Sequence, residues 1–93
     1  MHDKITKKKV EDYYNLTKNA LEIAKKSVVN GKEVSAKEII EMVSNYLSDA
    51  EYFEKNGELV NAFAALNYAH GWLDAGVRLD IFKTKNNKLF TIK

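Results

Sequence analysis

The sequence predicts an all-α fold, an antiparallel up-down-up three-helix bundle with a short extended C-terminal tail. Three observations carry this. Apolar residues recur at spacings of 3 and 4 through most of the chain, the period of one helix face. The chain has no proline, which removes the commonest interruption of a helix. Two Asn-Gly pairs, Asn30-Gly31 and Asn56-Gly57, divide the pattern into three stretches of similar length. Links that short turn each helix back beside the one before it.

The first helix is expected over about residues 3–29. Val10, Thr17, Leu21, Ala24 and Val28 form one face at spacings of 7, 4, 3 and 4, flanked by Tyr13, Tyr14 and Ala20. The opposite side holds Lys7, Lys8, Glu11, Lys18, Glu22, Lys25 and Lys26. Glu22 stands four before Lys26, the favourable order for a surface pair worth ~0.3–0.5 kcal/mol. Gly31 is expected to end this helix in the left-handed conformation that lets the last carbonyls be capped.

The second helix is expected over 35–56. Ser35 as N-cap and Glu38 three residues on read as a capping box, with Val34 and Ile39 placed for the hydrophobic staple. Ile39, Val43, Tyr46, Ala50 and Phe53 then line one face, widened by Ala36, Ile40 and Leu47. Glu41, Ser44, Ser48, Glu51 and Lys55 make the wet face.

The third helix, 58–82, is the one the others must enclose. Glu58 opens it, a charge suited to the positive helix N-terminus. Within residues 62–77 the polar side chains fall on one strip, Asn67, His70 and Asp74, with Gly71 among them. The apolar remainder covers roughly 260° of the circumference, against about 100° or somewhat more for an ordinary surface helix. Tyr68 and Trp72 lie on a different side of that arc from Leu66 and Leu73. The last stretch, 83–93, has a turn-like Asn86-Asn87 and then Leu89 and Thr91 alternating with Phe90 and Ile92. An extended tail is expected. The alternative is a small hairpin with 82–85, but a lone hairpin is marginal in water.

Ninety-three residues suit one domain, here 1–93, with one core. A hydrophobic content of 45% with 30% charged residues argues for a globular chain and against disorder. The absence of cysteine excludes disulfides and thiolate metal sites. No run approaches ~18 apolar residues, so no membrane span is expected. The opening MHDKITKKKV has charges but no apolar h-region, which points away from a secretory signal and towards the cytoplasm. Net charge is +2, unevenly spread. Residues 1–32 hold eight Lys and four acids, 33–82 three basic groups and nine acids, and 83–93 four Lys and no acid.

Several residue sets could carry chemistry. His70 and Asp74, four apart on one face, could give two ligands to a divalent metal, with Asp49 of the second helix as a third. The plainer reading is that they bond each other or Asn67 and finish the rim of the bundle. One His with one carboxylate is not a metal signature, so no metal or other cofactor is expected. Asp74 orienting His70 could make an acid/base pair, but that needs a pocket of ~300 Å³ or more. No nucleophile or phosphate loop accompanies the pair, and no catalytic residue is assigned. The small residues Ala62, Ala65, Ala69, Gly71, Ala75 and Gly76 would let another backbone approach. Ala65, Ala69 and Gly76, with the aromatic anchors Tyr68 and Trp72, are the expected interaction surface for a protein partner or a second copy in a homodimer. The lysines at 7–9, 25–26 and 83, 85 and 88 could meet a nucleic acid. They are interspersed with acids, and the sole arginine is Arg78, so a solvated face is the simpler account.

The run Asp49-Ala50-Glu51-Tyr52-Phe53, then Gly57, then NAFAALNYAHGWLDAG at 61–76, resembles an archaeal family of small proteins, domain-of-unknown-function family 357. The likeness covers roughly 39–82 and more loosely the whole chain. It implies a short three-helix bundle from an archaeal cytoplasm and brings no reaction with it. Asp80 departs from the pattern, since similar proteins tend to have a small residue there, often Gly. The sequence thus points to a non-catalytic interaction module, with an accessory nucleic-acid binder and a His70/Asp74 site as alternatives.

Overall fold

The structure, a computed structural model, describes residues 4–86 and Phe90. It is all-α: α1 Lys7–Lys25, α2 Glu33–Lys55 and α3 Leu59–Arg78. Among the described residues the only pairing outside the helices is an isolated bridge between Val28 and Phe82.

Contacts between helices give the directions. Lys7 at the start of α1 meets Glu54 at the end of α2, so these two run antiparallel. Tyr13 meets Asn67 and Thr17 meets His70, so α1 and α3 run the same way. Tyr46 of α2 stacks on Tyr68, while Ile39, earlier in α2, approaches Gly76, later in α3. That is the up-down-up order. The core takes Val10, Ala20, Leu21 and Ala24 from α1, and Ile39, Val43, Leu47 and Ala50 from α2. From α3 it takes Ala62, Ala65, Leu66, Ala69, Leu73 and Val77. The expected faces of α1 and α2 are thus the buried ones, with Tyr46 and Phe53 half-buried at the edge.

The helix ends differ from expectation, each for a local reason. Thr6, not a residue near position 3, caps α1: its Oγ1 accepts the Lys9 N–H at 3.1 Å. At the other end α1 stops at Lys25 rather than near 29. The Ser27 hydroxyl donates to the Ile23 carbonyl at 2.6 Å, and the chain leaves the helix to pair with 81–83. Val29 N–H donates to the Ile81 carbonyl at 3.0 Å, and Lys83 N–H to the Ser27 carbonyl at 2.9 Å. A tight turn over 29–32 follows, closed by Lys32 N–H on the Val29 carbonyl at 2.9 Å. Gly31 supplies its positive φ of 89°, a conformation that costs glycine nothing.

That turn delivers the chain into α2 two residues before Ser35, so the expected capping box does not form. No side chain caps this start; Glu33 Oε1 accepts the Gly31 N–H, in the turn before the helix, at 3.0 Å. Val34 is exposed, so the staple is absent too. The far end of α2 closes on Gly57, at φ 76°. Gly57 N–H bonds the Glu54 carbonyl and Glu58 N–H the Phe53 carbonyl, the paired bonds of a Schellman ending.

The α3 helix ends by the same device at Arg78, not at residue 82. Asp80 N–H bonds the Val77 carbonyl at 3.1 Å and Ile81 N–H the Gly76 carbonyl at 2.8 Å. Asp80 holds the left-handed position at φ 61°, where glycine is the usual occupant. The reversal folds Phe82 back over Gly76. A Cβ at position 76 would stand 2.5 Å from two Phe82 ring carbons. Among the described residues Phe82 is the largest fully buried side chain, a burial that contributes roughly 1.5–3 kcal/mol. Its backbone pairs with Val28. Beyond it, Phe90 is buried and its N–H bonds the Asn86 carbonyl at 3.2 Å. The Asn86-Asn87 turn and the alternation over 89–92 lie mostly outside the described residues.

Candidate functional site

Because α1 and α2 both pack on one side of α3, the helix has an outside. Leu66, Leu73, Ala62, Ala69 and Val77 point inward. Val60, Ala64, Tyr68, Gly71, Trp72, Ala75 and Leu79 are exposed. These repeat at intervals of 3 and 4, so they form one stripe about 28 Å long at 1.5 Å per residue. Of the five expected surface residues, Tyr68 and Trp72 lie on this stripe. Ala65, Ala69 and Gly76 do not: they are buried, and their small size serves packing inside the chain. Gly76 is small because Phe82 covers it.

Three hollows run along the stripe. One is lined by Asn67, Tyr68, Gly71, Trp72 and Ala75, with a volume of about 340 Å³. A second, of about 370 Å³, is lined by Asp74, Ala75, Arg78 and Leu79. A third, of about 220 Å³, lies where α2 meets α3, among Tyr46, Asp49, Phe53, Asn61, Ala64, Ala65 and Tyr68. Shared residues join them: Ala75 the first two, Tyr68 the first and third. They are open to solvent, so their volume is that of a trough along a surface and not of an enclosed chamber. Tyr46 stacks on Tyr68 with centroids 5.6 Å apart and 23° between planes, which holds the Tyr68 ring in place at the edge of the trough.

Gly71 is unlike the other glycines. It lies in the middle of α3, and a Cβ there would meet nothing within 4 Å. Among the described residues nothing requires a glycine at this position, yet glycine costs a helix interior about 1 kcal/mol relative to alanine.

The polar strip borders the stripe on its α1 side: Asn67 and Asp74 line two of the hollows, while Asn67 and His70 also meet α1. The Tyr13 hydroxyl donates to Asn67 Oδ1 at 2.9 Å. Thr17, fully buried, has its Oγ1 3.5 Å from His70 Nδ1, and the Tyr13 ring stands 5.8 Å from the imidazole. Burial, and then the Asp74 carboxylate, push the Tyr13 phenol above its ordinary value. Asn67 and His70 thus meet α1, Asn67 through Tyr13 and His70 beside Thr17, where the plainer reading had His70 and Asp74 bonding each other or Asn67. Asp49 is not part of the strip. It lines the hollow beside Asn61 and Tyr68 on the α2 flank, whereas His70 faces α1. Among the described residues no three of His, Cys, Asp and Glu come together as a metal site.

One arrangement had no local signal in the sequence. The Tyr14 hydroxyl donates to Glu51 Oε1 across the α1–α2 groove. Burial, that bond and the carboxylate's charge push Tyr14 up to about 12. Val10, Glu11, Asn15, Ala50 and Glu54 complete the groove, of about 260 Å³. It is short of the ~300 Å³ of an ordinary ligand pocket, and Glu54 at its edge pairs with Lys7 at 3.6 Å.

The basic residues are partly neutralised. Lys8 pairs with Asp12 at 3.0 Å, and Glu22 pairs with Lys25 at 3.3 Å where Lys26 was expected. The bridge at Val28 and Phe82 brings Lys25 and Lys26 to the same end of the bundle as Lys83 and Lys85. Lys88 lies outside the described residues.

Among the described residues no helix is long and apolar enough to cross a membrane. Comparison with curated proteins and with solved structures gives no match. One family does match, and its span begins in the first turns of α1 and ends on Phe82, the residue that closes over Gly76. Over residues 12–82 the chain fits the family described as "Protein of unknown function (DUF357)", and it belongs to that family.

Proposed function

We propose that this protein is a non-catalytic interaction module that docks a protein partner on the outer face of α3. The observation that carries the reading is the stripe itself. Val60 is 67% exposed, Tyr68 63%, Trp72 40% and Leu79 65%, in register along one face. Large apolar side chains scattered singly over a surface need no explanation, but a contiguous patch marks a contact site. Tyr68 and Trp72 near its centre are the residue types that anchor such contacts. Gly71 between them supports the reading, since a helix accepts an otherwise costly glycine where another backbone must come close.

The test uses two substitutions that remove no packing. Ala64→Lys with Ala75→Lys puts two charges on the stripe at exposed helical positions, where the fold should change by no more than about 0.5 kcal/mol each. The tagged chain and this variant are compared for protein retained from extract or from added untagged chain. A protein held by the first and lost by the second supports the reading. Equal retention, or none by either, sinks it.

A second reading rests on the basic end of the bundle, the end that carries Lys25, Lys26, Lys83 and Lys85. It makes the protein an accessory nucleic-acid binder. Phosphate contact of this kind weakens steeply with salt, so a filter-binding series in sodium chloride decides it. No retention of RNA or DNA at low salt removes this alternative.

A further inference from the structure

Resting on the docking-face reading above, we propose that the occupant of the α3 face is a second copy of this chain. The two α3 helices run antiparallel about a two-fold axis that passes between residues 69 and 70. A two-fold interface must be complementary to itself, since whatever residue i meets in the partner must meet i in return. The stripe satisfies this. Reflected through that midpoint, Val60 falls on Leu79 and Ala64 on Ala75. The exposed Tyr68 falls on Gly71, the glycine whose Cβ direction is open. Each of these apolar positions thus meets an apolar one, and an aromatic ring meets the one place in mid-helix that no side chain fills. Asn67, held by Tyr13, falls beside Trp72 at the margin.

Charge selects the antiparallel direction. Arg78, near the C-terminal end of α3, reflects onto Asn61. Asn61 already donates to Glu58 Oε1 at 3.1 Å, and it lines a hollow with Asp49. Each copy therefore sets its Arg78 near the acidic end of the other, and the two helix dipoles oppose. A parallel pair would put Arg78 on Arg78, Glu58 on Glu58 and Tyr68 on Tyr68. The seam is one helix wide, about 10 Å by 28 Å. That is small beside the ~800 Å² per partner of a standard interface, so the dimer belongs to the weak, transient class.

The chain has no cysteine, so single introduced thiols report register cleanly. A disulfide needs its Cα atoms within about 7 Å. Ala64→Cys mixed with Ala75→Cys should cross-link as the mixed pair, several-fold above either variant alone. Val60→Cys with Leu79→Cys should do the same. Preferred self-linkage of Ala64→Cys or Ala75→Cys, or linkage of Ala64→Cys to Leu79→Cys in place of Ala75→Cys, overturns the proposed register. Gly71→Ala should weaken the dimer about tenfold, a 1.4 kcal/mol change, while its melting temperature as a monomer does not fall. Sedimentation of the native chain up to ~1 mM covers the whole affinity class. A monomer throughout, with no cross-link, overturns the second-copy proposal. If another protein is then still captured and lost with Ala64→Lys and Ala75→Lys, the docking face stands. If none is, both fall.

Discussion

Gly71 and Gly76 stand five positions apart on one helix and do opposite things. Gly76 is covered: Phe82 folds back onto it, and a Cβ would strike the ring at 2.5 Å. Gly71 is bare, with nothing within 4 Å of where its Cβ would be. The first is required by the chain's own packing. The second costs the folded monomer stability and gains it nothing. Two glycines that look alike in sequence thus separate the face of α3 that makes the fold from the face that is free to meet something else.

Four substitutions sharpen or break that contrast. The largest effect is expected for Phe82→Ala, which empties the site above Gly76 and should cost about 3–5 kcal/mol. Chemical denaturation with an unchanged m-value checks it, and a loss below about 1 kcal/mol would contradict the covering role. Next is Gly76→Ala. Helix propensity alone favours it by about 1 kcal/mol, yet overpacking against Phe82 should turn the result into a loss of about 1–3 kcal/mol. The two sites touch, so they should not add: in the Phe82→Ala background, Gly76→Ala should cease to destabilise. Gly71→Ala, by contrast, should raise the monomer's stability by about 0.5–1 kcal/mol. A loss there would mean the outer face is not free. Smallest is Asp80→Gly, which relieves the left-handed backbone at φ 61° and should gain about 0.5 kcal/mol, since Asp tolerates that region better than most residues. A thermal melt resolves a change of this size in a chain of 93 residues.

The helix faces were legible in the sequence because burial imposes a period, and Val10, Leu21, Ile39, Val43, Leu66 and Leu73 follow it. The ends were not, because they depend on partners far along the chain. Nothing local to Lys26 or Val29 shows that this stretch must leave α1 to pair with 81–83. The Ser35 and Glu38 pair is a sound capping signal that lost to a turn ending two residues earlier, which starts α2 at Glu33. The end of α3 was obscured because Asp80 stands where a glycine would have announced the stop. For the site, the over-wide apolar arc suggested a helix enclosed by its neighbours and left open whether any surface was to spare; the structure leaves one face uncovered by α1 and α2, with Tyr68 and Trp72 exposed on it. The arc could not separate small residues packed inside, Ala65, Ala69 and Gly76, from those left outside, Ala64, Gly71 and Ala75. Periodicity gives the angle around a helix but not which neighbour lies at that angle. The same limit put Asp49 with His70, when antiparallel packing fixed only their height along the bundle.

The crossing of 27–29 with 81–83 has a consequence for how the molecule comes apart. Phe82 is at once a rung of that crossing and the plug over Gly76, so the crossing cannot open without drawing the ring out of the interior. The α1–α2 connection and the chain beyond α3 are therefore latched to one another, and neither can fray alone. The amide protons of Val29 and Lys83, remote in sequence, should exchange with solvent at a common, slow rate set by that single event.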